Sequence, residues 1–298
     1  KLSLSSLQRA VQRTTTSLLH RLGLATYRDL QRARTRQAQT VSWLIENSLA
    51  PKSLTLNADT LRCADDVVSR PLVSIIMPTW NRAGAIAHAI ESIRAQDYLN
   101  WELLIVDDGS TDHTASVVEQ FRDDSRIRLF VGPHRGVSAA RNRALREACG
   151  EVIAYLDSDN SWFPHFLSRA VAALDENRDV ESVYAAQLVE DAHNGESYVR
   201  AVQFVRKRFL QNGGIDLNVF VHRKKLSDEL SGFDEGLTRL VDWELICRYS
   251  QRSAPLLLPI IGGRYVERGS DSISVRESLR LNRELLRQRQ KQLRAGSP

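Results

Sequence analysis

From Leu72 onward, short apolar runs alternate with stretches of helical periodicity. Val73-Ser-Ile-Ile-Met77 is an apolar run closed by Pro78, which predicts a buried parallel strand. Ile86 to Ile93 repeats its apolar residues at helical spacing, and Glu102–Asp107 predicts the next strand. A helix through Val117–Phe121, a strand at Ile127–Val131, a helix from Val137 to Ala148 and a fourth strand at Val152–Asp157 follow, with a further helix expected at Pro164. Such alternation over about ninety residues predicts an α/β domain built on a parallel sheet. Ligands of these sheets bind at the carboxyl ends of the strands.

The flanks follow a different pattern. Leu4, Leu7, Val11, Leu18 and Leu22 keep three-to-four spacing, and Tyr27, Leu30, Val41, Leu44 and Ile45 resume it after Gly23, with Arg28, Arg32, Arg34 and Arg36 between them. This predicts a helical region over 1–70, ending near Arg70-Pro71. At the other end, Leu281, Leu285, Leu286 and Leu293 among arginines predict an amphipathic helix over Leu279–Leu293, within a C-terminal region 275–298. The main domain is then 71–274.

Charge separates the same three parts. Residues 1–70 carry 11 Lys/Arg against 5 Asp/Glu, residues 275–298 carry 7 against 2, and the middle holds 23 against 29. An acidic centre argues against a nucleic-acid groove through the domain. The basic flanks suit docking on an anionic membrane surface or on neighbouring domains of a longer enzyme, unless they are simply solvated helix faces. No apolar stretch reaches the roughly 20 residues that cross a bilayer. Cys63, Cys149 and Cys247 are widely spaced with no Cys-x-x-Cys, which indicates neither a disulfide scaffold nor a zinc site and predicts buried free thiols. With no signal-peptide pattern after Lys1, the expectation is part of a longer cytoplasmic protein that can lie peripherally on the inner face of the cell membrane.

The strand ends carry the candidate chemistry. Pro78-Thr-Trp-Asn-Arg82 after the first strand is neither a dinucleotide fingerprint nor a Walker A loop. Asp107-Asp108-Gly-Ser-Thr-Asp112 ends the second, where an acid can accept hydrogen bonds from a nucleoside; the same residues also suit a turn capping the next helix. Asp157-Ser158-Asp159-Asn160 ends the fourth. In an extended chain residues i and i+2 point the same way, so both carboxylates can converge on Mg²⁺ or Mn²⁺. A solvated turn fits these residues as well.

Taken in order, Val-Ser-Ile-Ile-Met-Pro-Thr-Trp-Asn-Arg, Ile-Val-Asp-Asp-Gly-Ser-Thr-Asp, Gly-Val-Ser-Ala-Ala-Arg-Asn and Tyr-Leu-Asp-Ser-Asp-Asn resemble the family 2 glycosyltransferases of the GT-A fold. The resemblance runs from Val73 to about Ser274. It implies a mixed sheet flanked by helices and inverting transfer of a sugar from a nucleotide-sugar donor, with a divalent metal, Mn²⁺ or Mg²⁺. Asp157 and Asp159 match the family's DxD motif. Asp159 would be the principal metal ligand, with Asp157 nearer the ribose or a metal-bound water. Pro78, Thr79, Asn81, Asp107 and Asp108 match its nucleotide-contact segments, Ser158 lies inside the DxD, and Arg141 falls in its Ala-Arg-Asn segment. The resemblance implies donor contacts for Arg141, Ser158 and Asp157; for Arg141 an ordinary helix-face arginine is the competing reading.

Phe233-Asp-Glu-Gly-Leu237 and Val241-Asp-Trp-Glu-Leu245 resemble the acceptor-side segment, and the correspondence places the catalytic base on Asp242. Asp242 also precedes an apolar helical run and can cap it. Asp234 and Glu244 are the alternative bases. Arg268 stands where the family often has a metal-binding histidine, and a guanidinium cannot ligate a metal. Trp162 and Trp243 can stack on a sugar, but core packing is the simpler expectation. The resemblance implies a UDP-sugar donor and a glycan or glycolipid acceptor in bacterial surface polysaccharide or lipopolysaccharide synthesis. Two readings stay open beside it: an inactive glycosyltransferase-like binding domain, and a nucleotidyltransferase.

Overall fold

A computed structural model describes residues 70–191 and 197–267. The expected helices over 1–70 and 275–298, together with Cys63, Arg268 and Ser274, lie outside the described residues apart from Arg70.

The strands are β1 (Val73–Thr79), β2 (Trp101–Asp107), β3 (Ile127–Val131), β4 (Val152–Tyr155), β5 (Ser161–Trp162), β6 (Ser182–Asp191), β7 (Ser197–Arg200), β8 (Phe220–Arg223) and β9 (Leu256–Glu267). The helices are α1 (Ile86–Arg94), α2 (Thr114–Glu119), α3 (Val137–Glu147), α4 (Phe166–Glu176), α5 (Arg206–Asn212), α6 (Lys224–Leu230) and α7 (Val241–Tyr249). Their sheet order is β3-β2-β1-β4-β8-β6-β9-β5, with β7 paired to β6. The first four strands are parallel; β8 runs antiparallel to both β4 and β6. The expected mixed sheet is therefore present.

Both faces of the sheet are covered, which explains why the central strands are apolar without alternation. Ile75, Leu103, Ile105 and Ala154 point into one core with Ile86, Ile90 and Ile93 of α1 and Leu167 of α4. Their neighbours Ile76, Leu104, Ile153 and Tyr155 point into the other, with Ala140 and Ala144 of α3 and Leu245 of α7. Inside that second core Tyr155 Oη and His222 Nε2 are 2.8 Å apart. Burial pushes the imidazole pKa down to about 4, so His222 is neutral.

Pro78 does not end β1 as the sequence suggests; the strand continues to Thr79. The Ile76 carbonyl accepts from Leu156 N on the β4 side and the Thr79 carbonyl from Asp108 N on the β2 side. Alternate residues thus serve alternate neighbours, and Pro78 faces β4 just past the last pair, Ile76 with Tyr155. No ladder bond needs its missing N–H. The register Thr79–Asp107 and Ile76–Tyr155 brings the ends of β1, β2 and β4 to one edge. Of the cysteines, Cys247 is buried as expected, but Cys149 is exposed, because it follows the last turn of α3 instead of facing the core.

Candidate active site

The end of β2 is a turn built by its own acids. Asp107 Oδ1 accepts from Ser110 N at 2.8 Å. Gly109 follows at φ +77°, and a Cβ there would sit 2.7 Å from His134 N, so both the conformation and the close approach require glycine. Asp108 Oδ1 and Oδ2 accept from Arg135 N at 2.7 Å and Gly136 N at 2.9 Å. The loop leading into α3 is therefore tied to the end of β2. Asn81, at φ +51°, joins the same turn: its Oδ1 accepts from Thr111 N at 2.8 Å and its N donates to Ser110 Oγ. Trp80 beside it is 40% exposed and stacks on His134 with ring centroids 4.7 Å apart. Thr79 Oγ1 is buried with no partner among the described residues.

These ties place Arg141 in the first turns of α3, where it is 3% exposed. It is not on a solvated helix face. Its Nη2 donates to Asp157 Oδ1 at 2.7 Å and its Nη1 to Asp242 Oδ1 at 2.8 Å, and the guanidinium carbon lies 5.1 Å from the Phe233 ring centre. Burial opposes its charge, but Asp157 and Asp242 more than offset this, and its pKa rises. The next residue, Asn142, fastens α3 to the loop at Phe233: Nδ2 donates to the Phe233 carbonyl at 2.9 Å and Oδ1 accepts from Phe233 N at 2.7 Å.

Asp242 is the second residue of α7, after Leu240 at φ +61°. It lies inside the first turn instead of at the cap position, and its carboxylate is occupied by Arg141. Although its side chain is 39% exposed, the surrounding protein desolvates it. Desolvation raises its pKa, Arg141 pulls it down, Asp157 and Asp216 push it up, and the net is about 6. The alternative acids are committed elsewhere. Glu244 forks with Arg248 Nε at 2.9 Å and Nη2 at 2.7 Å, and Asp234 Oδ1 accepts from Gly236 N.

The DxD segment is not extended. β4 ends at Tyr155, and Asn160 N donates to the Asp157 carbonyl at 3.0 Å, closing a turn over Ser158 and Asp159. The i, i+2 argument for convergence therefore fails here, and the two carboxylates have different neighbours. Asp157 sits between Arg141 and Asn218, whose Oδ1 accepts from Asp157 N at 2.6 Å and whose Nδ2 donates to Asp157 Oδ2 at 3.2 Å. Asp159 Oδ2 accepts from Arg82 Nε at 3.1 Å and lines a cleft of about 410 Å³ with Gly84, Ala85, His88, Ser161 and Arg264. Ser158 is buried.

No group of three or more His, Cys, Asp or Glu among the described residues is arranged to hold a metal ion. A hard cation held by one or two carboxylates, with phosphate and water completing its shell, needs no such cage. Asp159, half-exposed at the cleft, is the acid open to a cation shared with a diphosphate in this way, while both oxygens of Asp157 are bonded by Arg141 and Asn218.

Sequence reasoning missed Asn218, Asp216, Asn142, Arg82 and Trp80. Asn142, Arg82 and Trp80 stand inside motifs already singled out. Asn218 and Asp216 carry no local signal, because Asn218 reaches Asp157 from the turn before β8 and Asp216 acts by bracing Asn218 there. Trp162 and Trp243 donate to the Asn218 and Phe209 carbonyls at 2.6 and 2.7 Å; Trp162 is a core residue packed on Phe166.

The family model described as Glycosyl transferase family 2 matches residues 74–222, half of the chain, from β1 into β8. The chain belongs to glycosyl transferase family 2. Within the family, Escherichia coli WfgD, named UDP-Glc:alpha-D-GlcNAc-diphosphoundecaprenol beta-1,3-glucosyltransferase, is 36% identical over 159 residues, 52% of this chain and 62% of that protein. The chain therefore spans less than two thirds of this relative. Among solved structures, S. aureus TarS in complex with UDP-GlcNAc matches with a TM-score of 0.61 at 20% identity, covering 72% of this chain and 64% of that one. The mannosyltransferase PcManGT from Pyrobaculum calidifontis, in complex with GDP-Man and Mn²⁺, matches at 0.51 and 22% identity, covering 77% and 68%. The fold is thus that of GT-A glycosyltransferases.

Proposed function

We propose that this protein is an inverting glycosyltransferase that moves a sugar from a UDP-sugar to a hydroxyl of a glycan or lipid-linked acceptor in bacterial surface polysaccharide synthesis. The observation that carries this reading is the Asp157–Arg141–Asp242 bridge. One buried cation joins an acid at the end of β4 to an acid of raised pKa on α7. Family membership supplies the reaction class. The name of the E. coli relative describes transfer from UDP-Glc to a diphosphoundecaprenol-linked sugar, and TarS was solved with UDP-GlcNAc, which favours UDP over the GDP of PcManGT.

In this mechanism ionised Asp242 takes the proton of the acceptor hydroxyl while that oxygen bonds to the anomeric carbon and the bond to the diphosphate breaks. Arg141 holds the Asp242 carboxylate in place and keeps it ionised near neutrality. The ends of β1 and β2, with Pro78, Thr79, Asn81, Asp107 and Asp108, form the wall against which the nucleoside would lie, and Trp80 offers it an exposed ring face. Asp159 would hold Mn²⁺ or Mg²⁺, which when bound would supply positive charge to the departing diphosphate.

The direct test is nucleoside diphosphate release from UDP-sugars, with and without Mn²⁺ and acceptor. Release identifies an active transferase; donor binding without any release identifies the inactive binding domain. Calorimetry of UDP with Mn²⁺ should show Asp159→Asn weakening binding at least ~10-fold. Equal affinity removes Asp159 from the metal site.

The raised pKa of Asp242 sets a pH dependence. Transfer needs the carboxylate, so kcat/KM should rise with pH through an inflection near 6 and fall about tenfold per unit below it. A profile flat from pH 5 to 8 would separate Asp242 from the proton transfer.

A further inference from the structure

One surface segment beside the proposed site has a composition that neither the core nor the catalysis uses. Between Ser197 and Ile215 there is no acidic residue, while Arg200, Arg206, Lys207 and Arg208 supply four cations in an otherwise acidic domain. Arg200 is held inward by Asp216. Arg206, Lys207 and Arg208 are exposed on α5, and none of them forms an ion pair among the described residues. Directly before them Val202 and Val205 are 37% and 43% exposed.

This segment is tied to β6. Tyr184 Oη donates to the Val202 carbonyl at 2.7 Å and accepts from Phe204 N at 2.8 Å. Phe204 and Phe209 turn inward to the core, their rings 5.3 Å apart. With both phenylalanines inside, the valines and the three cations are left outside. The segment also adjoins the helix bearing Asp242: Trp243 Nε1 donates to the Phe209 carbonyl at 2.7 Å, and Arg206 Nη1 to the Ser250 carbonyl at 2.7 Å.

We infer that Val202–Arg208 is a docking surface for an anionic lipid bilayer, with Val202 and Val205 entering the interface and Arg206, Lys207 and Arg208 meeting the headgroups. Apolar side chains next to unpaired cations match the boundary between acyl chains and anionic headgroups; an acidic protein partner would call for the cations alone. Docking here brings α7, the helix that bears Asp242, near the membrane from which a lipid-linked acceptor is presented. In that respect the inference rests on the proposed function, but its test does not.

Flotation of the full chain with vesicles of phosphatidylglycerol in phosphatidylcholine, against phosphatidylcholine alone, reads the docking without catalysis. The wild type should float with the anionic vesicles only and be released by salt. Lys207→Glu/Arg208→Glu keeps the Arg206 bond to Ser250 and should partition at least ~30-fold more weakly. Val202→Ser/Val205→Ser should weaken partitioning several-fold while leaving its salt response intact. Both variants should retain the wild-type melting temperature and release of nucleoside diphosphate from a soluble donor. Equal flotation of wild type and both variants, or flotation that ignores lipid charge, or none at all, overturns the docking surface. Absence of donor turnover in the wild type counts against the glycosyltransferase reading instead.

Discussion

Asp242→Asn should lower glycosyl transfer by about 10²-fold or more while the protein keeps its melting temperature and its UDP affinity. The amide can still accept the 2.8 Å bond from Arg141 Nη1, so the bridge to α3 survives. What it cannot do is take a proton. Because Asp242 lies within the first turn of α7 and caps nothing with its carboxylate, the substitution removes no helix-capping bond. Acceptor-dependent turnover beside a thermal melt and a UDP titration reads the two effects apart. Near-normal turnover in a folded Asp242→Asn protein would assign the base elsewhere. Glu244 would then be a poor successor, since it is 4% exposed and bound at both oxygens by Arg248.

Arg141→Gln should also cost about 10²-fold in transfer, by releasing the base from its position, with donor affinity changing far less. Its pH profile is the informative part. Asp242 faces Arg141 from α3, Asp157 from the end of β4 and Asp216 from the turn before β8. Arg141 is the one of these that lowers its pKa, so removing the cation leaves desolvation and two like charges to raise it. The inflection should move above 6, and part of the lost activity should return as pH rises. A residue that only packed α3 against the sheet would lower stability without moving the inflection. Stability should fall by about 1–2 kcal/mol, less than the usual loss for a broken buried pair, because Asp157 and Asp242 are 32% and 39% exposed and water can solvate them. Arg141→Lys restores charge but not the fork, so it should recover the pH profile better than the rate.

Most of the α/β framework is legible from residue order. The strands at β1 to β4 and the helices α1 and α3 follow from runs of apolar residues whose length and period admit one secondary structure. Their errors are small and physical. Pro78 reads as a terminator because proline lacks a donor, but a strand tolerates it where the neighbour has already ended. Asp157 to Asp159 admits both an extended segment and a turn, and residue type alone does not announce that β4 stops at Tyr155. The motif acids likewise declare themselves by type and position at strand ends.

Their partners do not. Asp108 holds the loop before α3 by two backbone N–H groups, a use that residue type alone cannot distinguish from nucleoside contact. Arg141 reads as any arginine on an amphipathic helix until the sheet register carries Asp157 to one side of it and α7 carries Asp242 to the other, 16 and 101 residues away in the chain. Asn218 reaches Asp157 across 61 residues. Local periodicity reports which face of an element is apolar, since burying that face dominates the energy of each segment. Which charged groups then face one another depends on strand order and on where each strand ends. Those are properties of the assembled sheet, and the pKa of Asp242 follows from them.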